Sequence, residues 1–148
     1  MNIEEDYCSY EVSKLLKEKG FNEICSHEWG VPDIDKGYVL QKFNIYNGQI
    51  KNSELIDDAY AAPTHQMACK WLRENHKLLI SVDATPIYGK MKDDKGRNTC
   101  GILYWNYIAS GEWTNEKYNP IQKAFALSGE TYEEAVEAAC IYVLKNLI

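Results

Sequence analysis

Apolar and polar positions recur along this chain in two rhythms, one near 3.6 residues and one of two, and the changes between them mark its elements. From Ser9 to Lys19, Val12, Leu15, Leu16 and Lys19 share one helical stripe while Lys14, Lys17 and Glu18 take the other side. Gly20 stops this helix. The order from Leu16 to Phe21 predicts a Schellman ending, with Gly20 left-handed and Phe21 folded back on Leu16. Periodicity is lost from Asn22 to Gly37, where Gly30, Pro32 and Gly37 predict a loop or short irregular strands. Tyr38 to Tyr46 is strand-like, and Asn47-Gly48 predicts a type I′ hairpin turn. The returning strand, Gln49 to about Ile56, is weaker, and its polar run Lys51, Asn52, Ser53, Glu54 suggests an edge.

The second half is better marked. A helix is predicted from Pro63, placed at the first helical position, to about Asn75, with Met67, Ala68, Trp71 and Leu72 on its buried face. The apolar run Leu78 to Val82 reads as a strand that Pro86 ends. A polar hairpin loop, Lys90 to Asn98, precedes the strongest strand, Ile102 to Ala109. A second polar loop, Gly111 to Pro120, leads to a third strand around Lys123 to Leu127. In the last helix Thr131 and Glu134 form a capping box, and Val136, Ala139, Cys140, Val143, Leu144 and Leu147 repeat at helical spacing. These elements predict an α+β fold: an antiparallel sheet of three to five strands with helices packed on one face, its second half ordered helix-strand-strand-strand-helix. Without an internal repeat or linker, a single globular domain over 1–148 is expected.

Composition narrows the class of function. A chain of 148 residues that is 45% hydrophobic and 26% charged can bury a core without metals or disulfides, so no cofactor is required for stability. Sixteen Lys and Arg against 22 Asp and Glu give a net charge of −6, the wrong sign for holding nucleic acid through its phosphates. The 5 cysteines are spread out and never in a CxxC pair, as expected of reduced thiols in a cytoplasm. The acidic start MNIEEDY lacks the basic and apolar regions of a signal peptide, and no window is apolar enough for a membrane span.

Three stretches carry a resemblance: Ser9 to Phe21 (SYEVSKLLKEKGF), Ala62 to Glu74 (APTHQMACKWLRE), and Tyr132-Glu133-Glu134-Ala135-Val136-Glu137-Ala138-Ala139 running on to Leu144-Lys145-Asn146-Leu147-Ile148. Together they resemble a family of small uncharacterised proteins of gut bacteria, their mobile elements and phages. The resemblance covers the helices and implies an accessory protein of a phage or mobile element, with no activity to carry over. Gly129-Glu130-Thr131-Tyr132-Glu133-Glu134-Ala135 is also similar to the strand-to-helix signature of HicB-type antitoxin domains. The helix-strand-strand-strand-helix order resembles double-stranded RNA-binding domains, but Glu130, Glu133 and Glu134 at the start of the last helix would repel phosphate.

Candidate chemistry is sparse. His65, Cys69 and His76 share a helical stripe and are zinc-competent, but residues i and i+11 lie about 16 Å apart along a helix, so no metal site is expected and His65 reads as a surface residue. No nucleophile motif, HExxH, P-loop or GxGxxG occurs, and the pairs Asp57-Asp58 and Asp93-Asp94 read as solvated loop residues, so the chain is not expected to be an enzyme. The 11 Tyr, 4 Trp and 3 Phe offer more. Trp105 and Tyr107 read as core, and the other face of that strand, with Tyr104 and Asn106, is the better binding surface. Tyr88, Trp113, and Ser81 and Asp83 of the preceding strand complete the candidate set. The expected function is non-enzymatic binding of a host protein in the cytoplasm, for which the acidity suits a basic partner or a nucleic-acid mimic. The alternative is a sponge-like protein that binds a nucleotide or other small ligand. Partner binding demands an exposed apolar patch without a deep pocket, whereas ligand capture demands a concave site lined by Tyr and Trp with Arg or Lys nearby.

Overall fold

A computed structural model describes residues 5–30, 34–92, 95, 98–110, 113–114, 117–118, 123–129 and 131–148, with the backbone alone at 46, 84–92, 98–110, 113–114, 117–118 and 123–129. The chain divides into two compact units, one of residues 1–76 and 140–148 and one of residues 77–139.

In the first unit, helix α1 (Tyr10–Glu18) starts at Ser9, whose hydroxyl accepts from Val12 N–H. It ends as its sequence predicts: Gly20 has φ 90°, Phe21 N–H donates to the Leu16 carbonyl at 2.9 Å, and Gly20 N–H donates to that of Lys17 at 3.0 Å. Both Leu16 and Phe21 are buried. Strands β1 (His27–Trp29), β2 (Leu40–Lys42) and β3 (Tyr60–Ala62) form an antiparallel sheet in the order β2-β1-β3. This corrects the predicted hairpin. Asn47 (φ 61°) and Gly48 (φ 72°) do turn left-handed, but within a 3-10 stretch, Tyr46–Gly48, and β2 pairs with β1 instead. The returning segment bridges Cys25 at Ile50 and then coils into a second 3-10 turn, Asn52–Glu54. An Asn-Gly pair sets the local turn and leaves the choice of partner strand to longer-range packing.

The reason for that second turn is Asn52, which is only 5% exposed. Its Nδ2 donates to the Phe21 carbonyl at 2.8 Å, and its Oδ1 accepts from Ala61 N–H at 2.9 Å. Asn22 reciprocates by accepting from Ser53 N–H at 2.8 Å. The polar run thus turns inward at Asn52 and does not form an edge strand.

Helix α2 (His65–His76) begins two residues later than predicted. Thr64 caps it, its hydroxyl accepting from Met67 N–H, while the Pro63 carbonyl accepts from Cys8 N–H. Ala68, Trp71 and Leu72 are buried as expected, and Met67 is half-buried. The end of helix α3 (Tyr132–Asn146) contributes buried Cys140, Val143 and Leu144 to this unit, and Lys145 pairs with Glu11 at 2.6 Å.

The second unit holds an antiparallel sheet, β4 (Leu79–Lys92), β5 (Asn98–Ser110) and β8 (Lys123–Gly129), in that order, with a two-stranded ribbon of β6 (Trp113–Thr114) and β7 (Lys117–Tyr118). The predicted stop at Pro86 is corrected. Strand β4 runs through it, and the register shifts between Thr85 and Pro86, where a residue without an N–H interrupts the ladder. The Asp93-Asp94 pair lies outside the described residues. The capping box is present: Glu134 N–H donates to the Thr131 hydroxyl and Thr131 N–H to the Glu134 carboxylate. The protein is therefore α+β, with three α-helices among the described residues, none long and apolar enough to cross a membrane.

Replacing Asn52 with Ala strands a buried carbonyl and a buried N–H. The Asn52→Ala protein should lose about 2–4 kcal/mol of unfolding free energy, read as a lower denaturation midpoint in urea. A loss below about 1 kcal/mol would contradict the role given to this side chain.

Candidate functional site

The first candidate surface lies on the β4-β5 ladder. Asp83 is the register partner of Asn106, Ser81 of Ile108, and Thr85 of Tyr104. Cross-strand partners share a sheet face, so the register puts Ser81, Asp83, Tyr104 and Asn106 on one face. Ser81 and Asp83 are exposed there. Tyr88 falls in the interval between Ile87 and Met91 where the register shifts, and Trp113 pairs with Tyr118 in the separate ribbon. The side chains of Tyr88, Tyr104, Asn106 and Trp113 lie outside the described residues.

The first unit carries a second aromatic group. Tyr10 stacks on Tyr38 with ring centroids 4.0 Å apart and meets Tyr60 and Trp29 edge-on at 5.4 and 6.4 Å. Trp29 and Tyr60 are register partners between β1 and β3, and the hydroxyls of Tyr38 and Tyr60 both hydrogen-bond to that of Tyr10. Tyr60 is buried, while Tyr10, Trp29 and Tyr38 are half-buried. The Lys17 ammonium sits 5.2 Å from the Tyr60 ring centroid. It also donates to the carbonyls of Ile56, Asp57 and Ala59 at 2.9, 3.3 and 2.9 Å, so one cation fixes the path of the 56–59 segment.

That segment forms one wall of an open groove of about 600 Å³. Phe43, Ile50, Leu55 and Ala59 contribute its apolar lining, Glu28 and Glu54 its carboxylates. Glu28 and Gln41 face each other in the β1-β2 register, and the Gln41 amide donates to the Glu28 carboxylate at 2.9 Å. Glu54 accepts from Lys51 N–H at 3.0 Å, which orients it at the start of the 3-10 turn. Ile56, at 63% exposed, opens the apolar wall to solvent. Among the described residues that line it, none is Tyr, Trp, Lys or Arg, and none is a Ser, Cys or His that could serve as nucleophile or imidazole base. Such a groove offers apolar contact and negative charge, the chemistry of binding a chain that is apolar and basic.

His65 corrects another expectation, because it is buried. The segment before α1 runs alongside the start of α2, with Tyr7 bridging Thr64 and His65 N–H donating to the Asp6 carbonyl at 3.0 Å, and it covers the histidine. His76, at the other end of α2, lies edge-on to Trp71 at 4.6 Å. Comparisons with family models, with curated proteins and with solved structures give no match.

Burial pushes the Cys25 thiol up from 9.0 to about 12, helped by the charge of Glu23. Tyr7 and Tyr60 are raised mainly by burial, and Tyr38 mainly by its hydrogen bond with Tyr10. Each of these groups holds its proton more tightly in the folded chain than in the unfolded one. Their contribution is intact below the ordinary pKa values and is lost as pH rises through the folded values. The urea midpoint should therefore fall from pH 9 toward pH 12, and Cys25→Ala should make the earliest part of the fall shallower. A midpoint that stays level across this window would contradict the burial assigned to these groups.

Proposed function

We propose that the chain is a non-enzymatic accessory protein of a phage or mobile element that binds a host protein in the cytoplasm, using the groove between β1 and the 56–59 segment. The observation that carries this reading is the pairing of an apolar lining with the carboxylates of Glu28 and Glu54 in a chain of net charge −6. An apolar segment bearing Lys or Arg gains both burial and charge complementarity there. Ile45 and Ile56, 60% and 63% exposed, are the kind of apolar side chains that a partner would cover.

Capture of a small ligand has the groove volume of about 600 Å³ in its favour, since pockets for such ligands span roughly 300–1,000 Å³. Among the described residues the lining offers one aromatic ring, Phe43, and no Lys or Arg to meet a nucleotide's phosphates, and the protein partner is therefore the preferred reading.

Reversing both charges tests it. In affinity capture from the native host, the unmodified chain should retain a basic protein at near-stoichiometric yield, and Glu28→Lys/Glu54→Lys should reduce that yield at least about tenfold, as loss of about 1.4 kcal/mol requires. An unchanged urea midpoint establishes that the double variant is folded. Equal capture by both proteins would overturn the groove as the site, and a small molecule released on denaturation without a protein partner would overturn the function.

A further inference from the structure

Helix α2 carries His65, Cys69 and Arg73 at four-residue intervals, which places them along one stripe. Cys69 is half-buried, Cys140 near the end of α3 is fully buried, and the two side chains hydrogen-bond to each other. All four residues belong to the first unit. We propose that Cys69 and Cys140 are a redox pair: a hydroperoxide oxidises Cys69, and Cys140 resolves the product into an intramolecular disulfide.

The arrangement divides the two roles. Cys69, the less buried of the two residues, takes the first step, and its pKa is lowered because Cys140 hydrogen-bonds to it, with burial opposing and the charges of His65 and Arg73 assisting. In the first step the Cys69 thiolate attacks one peroxide oxygen and an S–O bond forms as the O–O bond breaks. The sulfur loses an electron pair to become a sulfenic acid, and the departing oxygen takes up a proton and leaves as water or an alcohol. In the second step the Cys140 sulfur attacks the Cys69 sulfur, the S–S bond forms, the S–O bond breaks, and the hydroxide leaves as water with the Cys140 proton. A dithiol reductant reverses the result by exchange.

Cys25 supplies an internal control. It is 2% exposed, donates its S–H to the Glu23 carbonyl at 3.7 Å, and is pushed up to about 12, so it holds almost no thiolate near neutral pH. The full chain at about pH 7.5 should be exposed to hydrogen peroxide, alkylated and digested for peptide mass spectrometry. The expected product is a cross-linked peptide pair joining Cys69 to Cys140, lighter by the two thiol hydrogens and restored by dithiothreitol. Cys69 should be consumed at least about tenfold faster than Cys25. In Cys140→Ala, dimedone should trap the sulfenic acid at Cys69. The wild-type measurement stands whether or not that variant folds. Oxidation of Cys69 no faster than Cys25, or a Cys69 disulfide to any sulfur other than its own chain's Cys140, would overturn the proposal.

Discussion

A single carboxamide, that of Asn52, holds together the part of the protein on which its surface chemistry depends. A buried amide group costs several kcal/mol if left without partners, and this one spends its donor on the Phe21 carbonyl and its acceptor on Ala61 N–H. Phe21 lies just past the Schellman ending of α1, and Ala61 lies at the centre of β3. The side chain therefore fixes the helix end, the 3-10 turn at Asn52–Glu54 and the buried strand β3 at one edge of the small sheet relative to one another. Neither an aliphatic nor a charged residue of similar size offers a donor and an acceptor to two backbone groups at once.

The groove follows from that anchor. Fixing Asn52 sets Ile50 on one side of it, bridged to Cys25, and Glu54, Leu55 and Ile56 on the other. Lys17 then draws three carbonyls of the 56–59 segment toward α1, over the Tyr60 ring. Among the described residues lining the groove, Glu28 and Glu54 carry the charge and set its sign. Apolar wall, exposed Ile56 and paired carboxylates are consequences of how two short turns are held, which is why the binding reading is attached to this place and not to the aromatic strand of the second unit.

Local signals were legible where a few neighbouring residues decide the outcome. Gly20 and Phe21 define the end of α1, and Thr131 and Glu134 the start of α3, through hydrogen bonds that close within one helical turn. The sheet of the first unit was hidden because its strands are three residues long, too short for alternation to show. Tyr10, Trp29, Tyr38 and Tyr60 look scattered in sequence and meet only through the β1-β3 register and the packing of α1. The polar run Lys51 to Glu54 gave the opposite of its true meaning, since polarity there marks one inward side chain with two backbone partners. His65 looked like a surface residue because nothing local reveals that residues 6–8 run alongside the start of α2. Cys69 and Cys140 stand too far apart in the chain for spacing to connect them.

The central claim, that the groove held by Asn52 and Lys17 is where this protein meets its partner, is tested most directly by hydrogen–deuterium exchange of the complex recovered from the native host. Protection on binding should concentrate at the backbone amides of 28–30, 41–43 and 50–59, with the strands β4 and β5 exchanging as they do in the free chain. Protection confined to 79–110, with the groove segments unchanged, would contradict the account.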